Sequence, residues 1–191
     1  MHDEAEPLSD ARFAQRLRAL DPSVLGAVFD TYYPPVYRYI YHQVRHQMTA
    51  EDLAGEVFTR LIEQLAQGRG PDRHLRAWLY RVAYNLAVDH MRGQSYGQAV
   101  PLEEWTAGGS QNVAADAERA IVWQQACRAL DELTPEQRAV IILKYLEGWS
   151  NQEVARVLET TIGAVKALQH RGLAAMRRQL ERVGAIAGEG V

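Results

Sequence analysis

Apolar residues recur at every third or fourth position along most of the chain, and no stretch alternates apolar and polar residues as a strand does. The first long pattern covers residues 21–44 and starts with Asp21-Pro22, an N-cap followed by proline at the first helical position. Pro34-Pro35 lies inside this pattern. Because proline removes a backbone donor and clashes with the preceding turn, we expect it to kink or split the helix.

Two more helices are predicted before the middle of the chain. One starts at Thr49, with Asp52 in the position of a capping-box residue, and ends at a loop that contains Gly68, Gly70 and Pro71. The other covers about residues 72–92. Its apolar stripe consists of Leu75, Trp78, Leu79, Val82 and Leu86.

The C-terminal half carries two complete capping boxes. A helical pattern over about residues 117–131 is followed by Thr134-Pro135-Glu136-Gln137, which opens the next helix. Ser150-Asn151-Gln152-Glu153 opens a short helix, and a break at Glu159-Thr160 leads into a longer helix that begins near Thr161. In that longer helix Ile162, Val165 and Leu168 are expected to pack back on the short one. This layout is typical of a helix-turn-helix.

Between the two halves, residues 93–118 contain glycine, proline and scattered polar residues without periodicity, as expected for a flexible linker. The predicted fold is all-α, with two small helical domains. We expect these segments: an N-terminal extension 1–24, a first domain 25–92, the linker 93–118, a second domain 119–183 and a tail 184–191.

Composition excludes several classes of protein. The 191 residues contain a single cysteine, Cys127, so an internal disulfide is impossible and a reducing compartment is expected. The start, MHDEAEPLSD, is acidic and polar, unlike a signal peptide, and no run of eighteen apolar residues exists. We therefore expect a cytoplasmic protein without membrane contact of its own.

The net charge of −3 is unevenly distributed. Residues 69–92 hold five arginines and two aspartates, a charge of +3, and residues 159–183 hold five basic and two acidic residues, also +3. Between them, residues 93–118 hold four acidic residues and no lysine or arginine. Such basic segments indicate either nucleic-acid binding or ordinary solvated helix faces.

The predicted helix-turn-helix has the chemistry for DNA. Thr160 and Thr161 lie at a helix N-terminus, where hydroxyls and free backbone N–H groups can hold a phosphate. Lys166, His170 and Arg171 lie on the outer side, where they can reach base edges or phosphates in the major groove. The alternative is a helical hairpin with a solvated basic face.

The basic helix at 72–92 has a second candidate surface. Helical spacing places Arg73, Tyr80, Tyr84 and Met91 opposite the apolar stripe, with Arg76 beside them. Exposed tyrosines among arginines suit stacking on single-stranded nucleic acid. They suit a protein interface equally well. Asp89 falls on the apolar side and is expected to form a structural pair.

Signs of catalysis and of metal binding are weak. His42 and His46 have the spacing to share a metal on one helix face, but no cysteine or third histidine lies nearby in the sequence. Cys127 lies in an apolar context, without neighbouring cations to activate it. Phosphate-loop, metalloprotease and nucleophile-elbow motifs are missing from the sequence. We expect neither an enzyme nor a cofactor.

The ordered set of motifs resembles the small bacterial sigma factors of the extracytoplasmic-function (ECF) type, which carry only regions 2 and 4 of the sigma family. Within Phe29–Arg92 of this chain, three segments resemble region 2: FDTYYPPVYRYI, AEDLAGEVFTRL and LRAWLYRVAYNLAVDHMR. Region 4 is similar to DELTPEQRAVIILKYLEGWSNQEVARVL and TTIGAVKALQHRGLAAMRRQL, within Asp131–Leu180. The resemblance implies a promoter-recognition subunit of RNA polymerase that also assists promoter opening.

The resemblance also implies roles for individual residues. Docking on the clamp helices of the largest polymerase subunit would use Asp52, Leu53, Glu56, Val57 and Arg60. Capture and opening of the −10 element would use Arg69, Arg73, Arg76, Tyr80, Tyr84 and Asn85. Reading the −35 duplex would use Lys166, Ala167, His170 and Arg171, beside Thr160 and Thr161. Region 4 would also contact the polymerase flap, and an anti-sigma factor is an expected partner.

Four positions depart from the family pattern. Gly55 stands where glutamine is frequent, Tyr84 where arginine is common, and Ala167-Leu168 where serine and arginine are frequent. Fewer polar groups therefore face the −35 DNA, and no relative's promoter sequence carries over. The competing hypothesis is a stand-alone helix-turn-helix regulator whose N-terminal half dimerises or senses a ligand.

Overall fold

The computed structural model describes residues 11–71, 73–94, 123–182 and 184, and the linker prediction lies almost wholly outside them. Every regular element in the described part is helical. The helices are α1 (Ala11–Arg18), α2 (Pro22–Val44), α3 (Gln47–Ala66), α4 (Leu75–Gln94), α5 (123–131), α6 (Pro135–Ile141), a π-helical turn (Ile142–Leu146), α7 (Asn151–Val157) and α8 (Ile162–Arg182).

The chain divides into two compact units. One comprises Met1–Pro101 with Arg156–Glu159, and the other comprises Leu102–Ala155 with Thr160–Val191. Helices α1–α4 form the body of the first unit, and α5, α6 and α8 belong to the second. The helices of the described ranges include none long and apolar enough to cross a membrane.

Helix α2 runs without interruption through Pro34 and Pro35, so the predicted split is wrong. Val28 and Tyr32 before the prolines are buried, as are Val36, Tyr39 and Ile40 after them. Both halves therefore bury one continuous face, and this packing outweighs the lost backbone hydrogen bonds. Asp21 is the N-cap, as predicted, and accepts a hydrogen bond from Ser23 N at 3.0 Å. A hydrogen bond from Arg16 lowers the pKa of Asp21 to about 2.

Helix α3 begins two residues earlier than predicted. Its N-cap is His46, whose Nδ1 accepts a hydrogen bond from the backbone N–H of Thr49 at 3.2 Å. Thr49 is thus inside the helix, and the predicted capping box with Asp52 is wrong. The cap is an imidazole in place of the usual hydroxyl or carboxylate, and N-cap preferences do not indicate this residue type.

Both predicted capping boxes in the second unit are confirmed. Thr134 Oγ1 accepts from Gln137 N at 3.3 Å, and Glu153 Oε2 accepts from Ser150 N at 2.7 Å. Helix α6 packs against α8. Ile141 of α6, with the buried Leu130 of α5 and Leu133 before α6, forms a cluster against which Ala175 and Met176 of α8 pack. This packing fixes the axis of α8, and with it the direction in which its outer side chains point.

The guanidinium of Arg138 is buried and links α6 to the end of α5. Its Nε donates to Leu130 O at 2.9 Å, and one terminal nitrogen donates to Asp131 O at 3.0 Å. These carbonyls lie at the C-terminal end of α5, where the helix leaves acceptors without intrahelical donors and where a positive charge is favourable.

Candidate nucleic-acid interface

The outer face of α8 presents most of the residues that the sequence predicted for DNA. Thr161, Lys166, Ala167, His170 and Arg171 are exposed along the first three turns of one helix, and Thr160 is half-buried. Val165 is fully buried on the opposite side. The structure therefore brings five of the six predicted residues together on one solvent-facing surface. We call this surface, with the exposed Ile162 and Gly163 included, the α8 face.

The turn before α8 has the geometry needed to start the helix. Glu159 adopts a left-handed conformation with φ of 50°, a conformation that glycine takes more easily. Thr160 N donates to Ala155 O at 3.0 Å, and Thr161 Oγ1 accepts from Ala164 N at 3.1 Å. Thr161 is thus an N-cap, and its own hydroxyl hydrogen stays available for an acceptor such as a phosphate.

Ile162 does not pack inward as predicted. Its side chain is 44% exposed, while Val165 is fully buried and Leu168 is half-buried. Helical spacing explains the difference, because Ile162 lies beside Lys166 on the helix surface and away from the centre of the buried side. The spacing of Ile162, Val165 and Leu168 predicts one buried side, but the packing of α8 on α6 centres that side near Val165 and leaves Ile162 at its edge.

Gln169 and Tyr145 form a polar contact at the edge of the α8 face. Gln169 Nε2 donates to the Tyr145 hydroxyl at 2.8 Å. Tyr145 lies within the π-helical turn Ile142–Leu146, and its side chain is 53% exposed. This contact occupies one donor of the amide that lies closest to the predicted DNA-reading residues.

The predicted outer face of α4 is wrong at Tyr80. This side chain is 1% exposed, and its ring packs against Tyr39 of α2 with centroids 5.2 Å apart. Ala77, Ala83 and Ala87 are buried as well, so the buried side of α4 extends well beyond the stripe of large apolar residues. Leu75, Leu79 and Leu86 of the predicted stripe are buried too, so the stripe lies at one edge of a wider buried side that the alanines allow to approach other helices closely.

The remaining α4 candidates have different exposures. Arg69 and Arg73, which precede the helix, are exposed, and so is Asn85. Arg76 and Tyr84 are half-buried. Trp78, predicted as core, is also half-buried, and its seven-residue spacing places it on the same side as Asn85. Asp89 is exposed, so its predicted place on the apolar side of α4 is wrong.

The predicted polymerase-docking residues on α3 divide between surface and core. Asp52 and Arg60 are exposed, and Leu53 and Glu56 are half-buried. Arg60 Nε lies 2.9 Å from Glu56 Oε1, a surface ion pair one helical turn long. Val57 is fully buried, so the prediction that it contacts a partner is wrong. Ala54, Phe58 and Leu61 are buried on the same side of α3 as Val57.

Three large apolar side chains are exposed in the described part of the first unit, and two of them, Phe29 and Ile62, continue the helical spacing of the buried residues around them. Met48 and Ile62 of α3 are 68% and 47% exposed, and Phe29 of α2 is 43% exposed. The ring of Phe29 stacks on the ring of Tyr33, with centroids 4.8 Å apart, and lies edge-on to the ring of Phe58, with centroids 5.0 Å apart. Large apolar side chains that are exposed together can mark an interaction site. The sequence pattern did not indicate this exposure.

His42 and His46 have separate structural roles. Burial, with the charges of Arg45 and Arg38, lowers the pKa of His42 to about 4. His46 is the N-cap of α3. The pKa of His90 is lowered, mainly by burial of its imidazole and further by electrostatic repulsion from His46. Within the described residues, no group of three or more His, Cys, Asp or Glu side chains is arranged to hold a metal ion.

Family models match both halves of the chain. The model described as "Sigma-70 region 2" matches residues 28–96, and "Sigma-70, region 4" matches residues 124–176. The first includes most of α2 and all of α3 and α4, and the second includes the capping boxes and most of α8. The regions therefore coincide with the helices that carry the candidate residues.

Curated relatives are similar over most of the chain. The ECF RNA polymerase sigma factor SigX of Bacillus subtilis is 30% identical over 162 residues, which cover 81% of this chain and 82% of SigX. SigW of the same organism is 30% identical over 170 residues, 84% of this chain and 90% of SigW. BldN of Streptomyces coelicolor is 31% identical over 172 residues, but the match spans only 64% of BldN.

Solved structures share the fold. CnrH, solved in complex with the cytosolic domain of CnrY, matches with a TM-score of 0.65 and 20% identity, over 91% of this chain and 97% of CnrH. RpoE of Bartonella quintana, solved with the anti-sigma factor NepR, matches with a TM-score of 0.63 and 19% identity, over 82% and 96% of the two chains. The solved structures show the shared fold, and the family models and sequence relatives show that the chain belongs to the sigma-70 family, among its ECF RNA polymerase sigma factors.

Proposed function

We propose that this chain directs core RNA polymerase to specific promoters and assists promoter opening. The observation that supports this function most strongly is the α8 face, a row of exposed cationic and hydroxyl side chains on the second helix of a helix-turn-helix. RNA synthesis belongs to the core enzyme, so the chain itself is not an enzyme and needs no cofactor. It acts in the cytoplasm, where the polymerase is.

The α8 face binds the −35 duplex. Lys166 and Arg171 supply positive charge for phosphates or guanine edges, and His170 adds a further donor. Thr160 and Thr161 bind a phosphate of the DNA backbone at the start of α8, because the first N–H groups of a helix have no intrahelical acceptors and favour an anion. Ala167 lies between these groups and leaves the surface free of bulk.

The first unit binds polymerase and the opened −10 strand. Asp52, Leu53, Glu56 and Arg60 are accessible for the clamp helices of the largest subunit, while Val57 supports this surface from inside. Arg69, Arg73 and Asn85 are accessible for the strand, with Arg76 and Tyr84 partly so. Tyr80 supports the helix from the core, and Trp78 is the aromatic side chain best suited to stack on a base in its place.

The proposed domain limits follow from these roles. Residues 25–92 form the polymerase- and −10-binding domain, and residues 119–183 form the −35-binding domain, which also contacts the polymerase flap. The acidic segment 93–118 joins them, and residues 1–24 and 184–191 flank them. CnrH and RpoE were solved with CnrY and NepR, so an anti-sigma partner is also proposed for this chain.

Runoff transcription with core polymerase tests the proposal. Adding the chain should produce discrete transcripts from a subset of promoters on genomic DNA, whereas core polymerase alone should not. The double variant Lys166→Ala and Arg171→Ala should lose this activity but still bind core polymerase through α3. Failure to bind core polymerase, with tight binding to a palindromic duplex, would instead establish a stand-alone regulator.

A further inference from the structure

The α8 face has an unusual set of chemical groups for reading DNA. Its outward residues are Thr161, Ile162, Gly163, Lys166, Ala167, His170 and Arg171. This set includes hydroxyl, ammonium, imidazole and guanidinium groups, but no carboxylate and no amide. The face is therefore rich in hydrogen-bond donors and has apolar positions among them.

Base edges in the major groove differ in which of these groups they can meet. Cytosine presents an amino donor, which a carboxylate reads best, and adenine is read by the paired donor and acceptor of an amide. Guanine presents two acceptors, and thymine presents an acceptor and a C5-methyl group. Donors and apolar groups on α8 thus fit guanine and thymine.

Gln169 is the one amide side chain between Thr161 and Arg171, and it does not point outward with them. It is half-buried, and its Nε2 donates to the Tyr145 hydroxyl at 2.8 Å. Paired readout of adenine needs both ends of an amide in the groove. This contact holds the amide nitrogen at the edge of the face, so adenine-specific readout by Gln169 is disfavoured.

Ile162 is the large apolar side chain at the start of this face. It is 44% exposed in the first turn of α8, where recognition helices contact base edges. The neighbouring Gly163 leaves room, because a Cβ at that position would meet only Thr161 Oγ1, at 3.8 Å. An isoleucine beside an open glycine offers an apolar contact for a methyl group, and the nearby Lys166 adds a hydrogen-bond donor.

We propose that Ile162 reads a thymine C5-methyl group in the −35 element, a specificity contact that rests on the proposed function of α8. The driving force is removal of the isoleucine side chain and the thymine methyl from water. Since the two groups are apolar, the contact discriminates thymine from cytosine without any hydrogen bond. Lys166 beside it can donate to O4 of the same base or to a neighbouring guanine.

Deoxyuridine substitution tests the contact directly, because deoxyuridine lacks only the methyl group and keeps base pairing. The probe is a promoter duplex recovered by mapping transcripts that the holoenzyme starts on genomic DNA. Each thymine of its −35 element is replaced in turn, and holoenzyme binding is measured. We expect one position at which the replacement weakens binding about fourfold, as expected for burial of one methyl group.

Variants of Ile162 assign the effect to this side chain. In Ile162→Ser the sensitivity to deoxyuridine at that position should disappear, and in Ile162→Val it should be largely retained. Leu173→Ala is the matched control, since Leu173 is a 40% exposed apolar residue of the same helix three turns further on. This control should keep the full sensitivity.

Three results would overturn the methyl contact: a −35 element without thymine in either strand, insensitivity of the original chain to every deoxyuridine, or unchanged sensitivity in Ile162→Ser. In each of these cases the holoenzyme still binds and transcribes. Failure of the proposed function differs, because then no transcripts start and no promoter duplex is recovered.

Discussion

The ring of Tyr80 packs against the ring of Tyr39, with centroids 5.2 Å apart, between helices α4 and α2. Both side chains are essentially inaccessible to solvent, at 1% and 0% exposure. A tilted pair of buried rings adds aromatic attraction to the burial of apolar area. The pair thus belongs to the core of the first unit, and Tyr80 is not part of the surface that we propose for the −10 strand.

Tyr80→Ala should destabilise the first unit by about 3 kcal/mol, because removing a buried aromatic ring leaves a cavity. Denaturant unfolding followed by circular dichroism measures the change. Tyr84→Ala is the comparison variant and should cost less, since Tyr84 is half-buried. An unchanged unfolding midpoint in Tyr80→Ala would contradict the core position and revive Tyr80 as a stacking residue.

Local signals predicted the elements well. Thr134 with Gln137 and Ser150 with Glu153 specify their helix starts through hydrogen bonds three residues apart, which sequence spacing can represent. The all-α fold followed from the same short-range periodicity. Such features need no information about distant parts of the chain.

Features that depend on tertiary packing were not predictable in this way. Helix α2 continues through Pro34-Pro35 because the residues on both sides share one buried face. The orientation of α4 depends on small alanines that approach other helices, as at Ala83. The exposure of Ile162 depends on where the buried side of α8 is centred, and this centre is fixed by packing on α6.

Stability should fall below neutral pH because of His42. Burial lowers its pKa from 6.5 to about 4 in the folded protein, so the unfolded state binds the proton more readily between these values. The free energy of unfolding should therefore decrease as the pH falls from 6.5 towards 4, by about 3 kcal/mol at most. Unfolding measured across this range in the chain and in His42→Phe checks the effect, and an equal pH slope in both would rule out His42 as its source.

Arg138→Ala should destabilise the second unit by about 3 kcal/mol, because two carbonyls at the end of α5 lose charged donors. Arg138→Lys should recover only part of this, since an ammonium cannot reproduce the two-nitrogen geometry. The control is Arg177→Ala, which removes an exposed ion pair with Glu181 and should change stability by less than about 0.5 kcal/mol. Thermal unfolding of the three variants compares them, and equal effects at Arg138 and Arg177 would contradict the buried contact.

Gly172→Ala and Gly163→Ala should differ in their effect on stability. A Cβ at Gly172 would lie 3.2 Å from Ile141 Cγ1, so the close contact of α8 with α6 must loosen, whereas a Cβ at Gly163 meets only Thr161 Oγ1, at 3.8 Å. Alanine should therefore stabilise the helix by up to about 1 kcal/mol at Gly163. At Gly172 that gain should be cancelled or reversed. Denaturant unfolding distinguishes the two, and equal stabilisation at both positions would show that α6 and α8 are not tightly packed at Ile141.

Lys166→Ala should weaken binding of the holoenzyme to promoter DNA and change its dependence on salt. A lysine that contacts a phosphate displaces about one counterion, so its loss should reduce the slope of log affinity against log salt by about 1. Lys144→Ala is a suitable control, because Lys144 is the other lysine of the sequence and lies in the π-helical turn, outside α8. Filter-binding or anisotropy titrations over a range of salt concentrations measure both slopes. If the Lys166→Ala variant loses affinity equally at all salt concentrations, Lys166 contacts a base edge in place of a phosphate, and the loss should then depend on promoter sequence.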